Sequence, residues 1–280
     1  MSYSDRCEIL EKIKDREWNG DWDKDVENDP ETIVLMPDKV DYLAKKLSTK
    51  IATSIANRVA IAYYEKLIKK GTLLLGDING LENYRSVNGG AIITCNHFSA
   101  MDNYVLFRAI RKDLGKKRLY KVIREGNFTN FKGIYGFFFR HCNTLPLSSN
   151  MQTMKKFIDA TKKLLSRGEK ILIYPEQAMW WNYKKPRPMK NGAFSIAVKN
   201  NVPIIPAFIT MHDSDSLDSD GFKLPVHTIH FLSPIYPDKN LTDKENVEKL
   251  RKENYLAWKK VYEETYKEEL TYNTKGEIKI

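Results

Sequence analysis

An α/β fold, with a largely parallel or mixed sheet flanked by helices and a helical segment ahead of it, is what this 280-residue sequence predicts. Three observations predict it. After Gly71, short apolar runs alternate with segments of helical periodicity, the pattern of successive strand and helix units. Met151, Met154, Phe157, Ile158, Thr161, Leu164 and Leu165 share one helical stripe, Gly168 closes it, and an apolar run over 171–174 follows at once. Ahead of Gly71, Ile51, Ile55, Val59, Ala62 and Tyr63 recur at three- and four-residue spacing, with lysines around them.

Taken in order, residues 1–37 read as an appendage: a short helix over 5–14 that buries Ile9, Leu10 and Ile13, then a polar, acidic loop over 19–30. Residues 39–70 read as helical, with Gly71 as the stop. The apolar face of that helix either packs on its own domain or lies in a membrane interface beneath a lysine-rich polar face, and periodicity alone does not choose. Strands are expected at 72–75, 91–95, 119–123, 144–147, 170–174, 203–209 and 226–232, and helices from near Ser99, Asn150, Lys190 and Thr242. The last helix opens on Thr242-x-x-Glu245, a capping box, and buries Leu250, Trp258, Val261 and Tyr262. The chain thus divides into a helical segment, 1–70, and an α/β domain, 71–280.

Composition narrows the class. With 42% hydrophobic and 29% charged residues, the chain is an ordinary globular one. Residues 1–31 carry eleven acidic and five basic side chains, so a net +10 becomes −6 there and +16 over the rest. So basic a body attracts phospholipid headgroups, nucleic acid or phosphate-bearing substrates. The run from Arg108 to Arg124 holds eight basic residues; they suit anionic lipid, the phosphates of a coenzyme or carrier, or plain solvation. No nucleic-acid motif accompanies them, so no nucleic-acid partner is expected. Three widely spaced cysteines, Cys7, Cys95 and Cys142, give neither a disulfide framework nor a zinc pattern. No apolar run reaches about 18 residues, and the opening residues lead into an acidic stretch, so neither a spanning helix nor a secretory signal is expected.

The segment from Ala91 to Asp102 carries the most chemistry. Apolar strand residues end in Asn96-His97, and Asp102 follows in the first turn of the next helix. There a carboxylate can reach back to an imidazole N–H. An imidazole within reach of a hydroxyl takes its proton as the oxygen attacks, and a carboxylate on the other ring nitrogen fixes the tautomer. Two other readings stand beside this one. Ser99-x-x-Asp102 is also a capping box, and Cys95, two residues from His97, could pair with it as a thiol nucleophile. His227-x-x-His230 falls in a strand, where residues three apart face opposite ways, so the two are poor joint metal ligands. No Gly-x-Ser-x-Gly elbow and no phosphate-binding Gly-rich loop with Lys-Ser/Thr occurs.

Asn96-His97-x4-Asp102 resembles the first motif of the glycerolipid acyltransferases, which include the 1-acylglycerol-3-phosphate and lysophospholipid acyltransferases. The stretch from Gly133 to Arg140 looks like the second block, the strand ending in Pro175-Glu176 like the third, Lys190-Asn-Gly192 like the Lys-x-Gly before a helix, and Val202-Pro203-Ile-Ile-Pro206 like the fourth. Four blocks in order, over about 71–210, are far more specific than one. The resemblance implies transfer of a fatty acyl group from coenzyme A or acyl carrier protein to a lysolipid acceptor, with lysophosphatidic acid the default. His97 would be general base and Asp102 its orienter. Asn96, Ser99, Arg140, Glu176, Gln177, Lys190 and Gly192 would bind substrate, Arg140 taking a phosphate. It implies no cofactor and no metal, the thioester being a co-substrate, and a protein peripheral on the cytosolic face of an anionic membrane. One departure stands out: Gln177-Ala-Met and two tryptophans replace the family's Gly-Thr-Arg, whose arginine is associated with the acceptor's phosphate. Lys184, Lys185 or Arg187 is left as a substitute, and a more amphipathic headgroup site is implied. Alternatives are a different hydroxyl- or amine-bearing acceptor, or a non-catalytic module that binds membrane or acyl carrier.

Overall fold

The computed structural model describes residues 3–27, 32–276 and 278. In chain order, helix α1 (Tyr3–Asn19) and helix α2 (Leu47–Lys69) precede strand β1 (Leu74–Asn79), α3 (Leu81–Arg85), β2 (Ala91–Thr94) and α4 (Asp102–Ile110). Then come β3 (Leu119–Ile123), α5 (Glu125–Thr129), α6 (Gly133–His141), β4 (Thr144–Pro146), α7 (Met151–Ser166) and β5 (Lys170–Ile173). The chain continues through α8 (Gly192–Asn200), β6 (Ile204–Leu217), β7 (Lys223–Phe231) and α9 (Asp243–Tyr266).

The seven strands form one sheet in the order β1-β7-β6-β2-β5-β3-β4. From β6 to β4 every pairing is parallel; β6 and β7 pair antiparallel, and β1 runs parallel to β7. The sheet is therefore mixed, as the alternating pattern allowed. Alternation along each strand divides the core in two. Ile92, Ile171, Ile173, Ile204 and Phe208 meet α7, α8 and α9 through Phe157, Leu164, Phe194, Leu250 and Trp258. Ala91, Ile93, Leu172, Ile205 and Ile209 meet α4 and the end of α2 through Val105, Leu106, Ile110 and Tyr64. Both faces of β2 and β5 are covered, which is why these strands read as unbroken apolar runs.

Local chemistry sets the helix ends. In α9, Thr242 Oγ1 accepts from Glu245 N (3.3 Å) and Glu245 Oε2 accepts from Thr242 N (2.8 Å), the expected capping box. Asn150 caps α7 by accepting from Gln152 N and Thr153 N. Gly71, at φ +69°, follows α2.

Several expectations change. The helix foreseen from Ser99 begins at Asp102, because Asp102 turns its carboxylate onto the loop before it. The short helices α3, α5 and α6 had no legible period, and β6 runs on to Leu217 as the outer arm of a hairpin. Residues 28–30 of the acidic loop lie outside the described residues. Residues 3–27, read as an appendage, pack on the body: Ile9, Ile13 and Val26 form a small core with Ala178 and Trp180. The apolar stripe of α2 points away from the protein. Thr53, Ala56 and Tyr64 are the buried face, whereas Leu47, Ile51, Ile55 and Val59 are 39–72% exposed.

The fit of α7 onto β2 rests on a missing side chain. A Cβ on Gly90 would lie 2.1 Å from the carbonyl oxygen of Leu165, whereas one on Gly89 would meet nothing within 4 Å. Gly90→Ala should cost about 1–3 kcal/mol by overpacking against backbone, and Gly89→Ala well under ~1 kcal/mol. Urea unfolding of the two variants checks this; equal midpoints would contradict it.

Candidate active site

Because β2, β3, β4 and β5 are parallel, their C-terminal ends share one edge of the sheet, where such domains place their chemistry. His97 follows β2 there, Glu176 follows β5, and Arg124 follows β3.

Asp102 has no exposed surface, and its Oδ2 accepts three hydrogen bonds: from His97 Nδ1 (2.9 Å), Phe98 N (2.9 Å) and Ser99 N (3.1 Å). Its place at the N-terminus of α4 adds the favourable end of the helix dipole. A carboxylate can only accept, so Nδ1 carries the proton and Nε2 holds the free lone pair. The imidazole lies flat against Tyr174, with ring centroids 4.0 Å apart and planes inclined by 17°. The ring is thus held by an in-plane hydrogen bond and a face contact. Both readings of Asp102 are partly met: the carboxylate reaches the imidazole and also accepts from the Ser99 backbone, but the Ser99 hydroxyl caps Met101 N instead of Asp102 N.

Glu176 is buried, and both its oxygens are in use. Oε2 accepts from His97 N (3.0 Å) and Arg187 Nη2 (3.0 Å), and Oε1 accepts from Arg187 N (2.8 Å). Arg187, 1% exposed, also donates to the carbonyls of Ala178, His97 and Trp22 and lies 4.5 Å above the Trp180 ring. Trp180 N donates to His97 O and its indole N–H to Lys24 O. The loop after Glu176 and residues 22–24 are thereby fixed to the backbone of His97.

The other expected site residues scatter. Asn96 is buried, and its amide makes a two-way clamp with the backbone of Ile209 (2.8 and 2.9 Å), so it positions strands and does not face a substrate. Gln177 is exposed and left-handed, at φ +68°, the conformation that the family's glycine at this place adopts without strain. Lys190 binds Asp23 (2.9 Å), and Gly192 is the exposed first residue of α8. Arg140 lies in α6, on the path from β3 to the edge strand β4. The Arg140 guanidinium donates to the carbonyls of Phe131 (2.9 Å) and Phe128 (3.4 Å), bracing the turn into α6.

The rival readings resolve likewise. Cys95 is wholly buried and its thiol is pushed well above the usual range, first by burial and then by Asp102 and Glu176, which leaves no thiolate for nucleophilic attack. Of the substitutes for the family's arginine, Arg187 is spent on Glu176, Lys185 pairs with Glu17 (3.1 Å), and Lys184 rests 5.6 Å from the Tyr266 ring. The basic run also divides: Lys116, Lys117 and Arg118 precede β3 and Arg124 follows it, at opposite edges of the sheet.

Sequence reasoning missed Tyr174 as a partner of His97 and Arg187 as a partner of Glu176. Arg187 stands between two prolines, which fix the backbone on either side, and that was the one local sign that it is anchored.

The site thus consists of a carboxylate-held histidine and a buried glutamate at the C-terminal edge of an α/β sheet. In comparison with known proteins, the chain matches the Acyltransferase family model over residues 77–210. Over 137 residues it is 30% identical to the chloroplastic 1-acyl-sn-glycerol-3-phosphate acyltransferase BAT2 of Brassica napus, a match covering 46% of this chain and 36% of that protein. The crystal structure of the 1-acyl-sn-glycerophosphate acyltransferase PlsC from Thermotoga maritima shares the fold, with a TM-score of 0.51 and 18% identity over 82% of this chain and 87% of that one.

Glu176→Ala would strand the Arg187 guanidinium inside the protein. A loss of about 3–5 kcal/mol is expected from breaking a buried pair on one side, read as a lowered thermal midpoint. A midpoint within a degree of the parent's would show that the pair does not hold the loop.

Proposed function

We propose that this protein transfers a fatty acyl group from an acyl thioester, carried by coenzyme A or acyl carrier protein, to the hydroxyl of a lysophospholipid-type acceptor. The observation that carries the reading is the 2.9 Å bond from His97 Nδ1 to the buried Asp102, which leaves Nε2 as the basic nitrogen. The name of the Brassica relative, a 1-acylglycerol-3-phosphate acyltransferase, supports the substrate class. In the reaction the acceptor oxygen attacks the thioester carbonyl carbon while Nε2 takes its proton. Asp102 stabilises the imidazolium, and Tyr174 lies against its face, where a cation is favoured. The tetrahedral intermediate collapses, the C–S bond breaks, and the departing sulfur takes the proton from the imidazolium. No covalent enzyme intermediate is needed, and Glu176 and Arg187 hold the backbone of His97 in place throughout.

The reading includes a membrane surface. α2 exposes the stripe Leu47, Ile51, Ile55 and Val59, and α6, which packs beside α2, exposes Ile134 and Tyr135. Lys50, Arg58, Lys66 and Lys69 lie on the same helix. An apolar stripe among cations suits a helix lying in the interface of an anionic bilayer. No helix among the described residues is long and apolar enough to cross a membrane.

His97→Ala should lower thiol release from acyl-coenzyme A in the presence of lysolipid by about 10²–10⁴-fold, the usual contribution of a general base; release equal to the parent's sinks the assignment. Ile51→Asp with Ile55→Asp should abolish co-sedimentation with vesicles containing anionic lipid while leaving the thermal midpoint within a degree or two, since neither side chain is buried. Undiminished sedimentation would remove α2 from the docking surface.

A further inference from the structure

We infer that the irregular segment from Ile33 to Met36, together with Met151, is a second lipid-docking surface, which brings a phospholipid bilayer against the catalytic edge of the sheet. The inference rests on the membrane part of the reading above and adds to α2 a contact beside the site itself.

The backbone of this segment is anchored at that edge. Leu35, 2% exposed, donates its N–H to Glu125 Oε1 (2.6 Å), and its carbonyl accepts from Ser148 Oγ (3.0 Å) and Thr153 Oγ1 (2.8 Å). Ile33 N donates to Asn130 Oδ1 (3.2 Å). Glu125 opens α5 just after β3, and Ser148 follows β4. Both therefore lie at the C-terminal ends of parallel strands, the edge where His97 follows β2. The Asn150 side chain, which caps α7, reaches Met36 Sδ at 3.8 Å and so sets Met151 beside the segment.

The side chains turn the other way. Ile33, Val34 and Met36 are 47–64% exposed, and Met151 is 85% exposed. A loosely attached segment would expose backbone and side chain alike. Here Leu35 is tied down at both its N–H and its carbonyl, while its neighbours hold aliphatic groups outward. An exposed apolar cluster on a fixed backbone marks an interaction surface.

Two observations choose a bilayer over a protein partner. Lys132, two residues past Asn130, and Lys155, one turn on from Met151, meet no carboxylate among the described residues. Glu125 is occupied by Leu35 N, Ser148 Oγ, Ser149 N and Ser149 Oγ, and Asp38 pairs with Lys39 at 3.1 Å. Lysine is depleted from protein interfaces but drawn to phospholipid headgroups. The second observation is position. Acceptor and product of the proposed reaction are both amphiphiles, so they pass between a bilayer and the edge that carries His97, and this surface lies on that edge.

The test uses the full chain and sucrose-loaded vesicles of phosphatidylcholine and phosphatidylglycerol. Binding is read by sedimentation, and turnover by thiol release from palmitoyl-coenzyme A. One acceptor, 1-oleoylglycerol-3-phosphate, is held in the vesicles; the other, 1-hexanoylglycerol-3-phosphate, is free in solution. Ile33→Asp with Val34→Asp, and separately Met151→Asp, should each lower the ratio of bound to free protein at least fivefold. Turnover of the vesicle acceptor should fall with it, and turnover of the soluble acceptor should stay within twofold. Leu256→Asp, on the exposed side of α9, should leave binding within twofold. Met151→Asp places its carboxylate in the first turn of α7, where it favours the helix, so that variant carries the test if the double variant has a lowered thermal midpoint. Binding equal to the parent's in Met151→Asp, an equal loss in Leu256→Asp, or a fall in soluble-acceptor turnover overturns the inference. So does a parent dimer that the variants dissociate in light scattering, which would make the surface an interface between copies. A parent that ignores vesicles overturns it together with the membrane reading. Thiol release no greater than that of His97→Ala with both acceptors sinks acyl transfer alone, and sedimentation then still decides the inference.

Discussion

The site depends on the buried pair of Glu176 and Arg187. Glu176 takes the backbone N–H of His97 and the guanidinium of Arg187, and Arg187 takes the carbonyls of His97, Ala178 and Trp22. The end of β2, the loop after β5 and the N-terminal segment therefore meet at two side chains. A buried ion pair contributes little net stability against an apolar replacement, but removing one partner is costly. What this pair contributes is specification: it determines where three connections with no regular structure of their own must lie. The imidazole is then aimed by contacts at its own level, Asp102 in the plane of the ring and Tyr174 on its face.

The uneven charge of the chain acquires a structural meaning. The −6 of residues 1–31 is partly set against the +16 of the body at specific positions: Asp25 at the end of β3, Asp23 at Lys190, Glu17 at Lys185. Exposed ion pairs hold little energy singly. Here they are carried by a segment whose apolar side chains, Ile9, Ile13 and Val26, are buried against the loop after Glu176, so packing brings the carboxylates to the cations. Folding sets these three cations against carboxylates from the N-terminal segment. The outer face of α2 exposes Leu47, Ile51, Ile55 and Val59 on a helix that also carries Lys50, Arg58, Lys66 and Lys69.

Much of this was legible in the residues. The strand runs at 91–94, 119–123 and 170–173, the stripe of α7, the capping box of α9 and the five-residue spacing of His97 and Asp102 depend on near neighbours, where period and side-chain chemistry speak directly. The partnerships of Arg187, Asn96 and Arg140 were not legible. Arg187 looked like one more cation of a charged loop, Asn96 like a substrate ligand beside His97, and Arg140 like a phosphate ligand because its block fell in the right order. Their partners, Glu176 for Arg187, the backbone of Ile209 for Asn96 and the carbonyls of Phe128 and Phe131 for Arg140, are set by burial and tertiary packing.

The sequence by itself determined the alternation of helix and strand, the two faces of the core, the proximity of one imidazole to one carboxylate and the family to which residues 77–210 are matched, because each follows from contacts a few residues apart or from an ordered set of motifs. Tertiary structure alone decided which carboxylate each of these cations meets. A charge becomes available or spent only when a partner from a distant part of the chain is laid against it, as Asp23 is against Lys190 across 167 positions. It also decided which face of α2 is left uncovered, since an apolar stripe reports that something must cover it and not what.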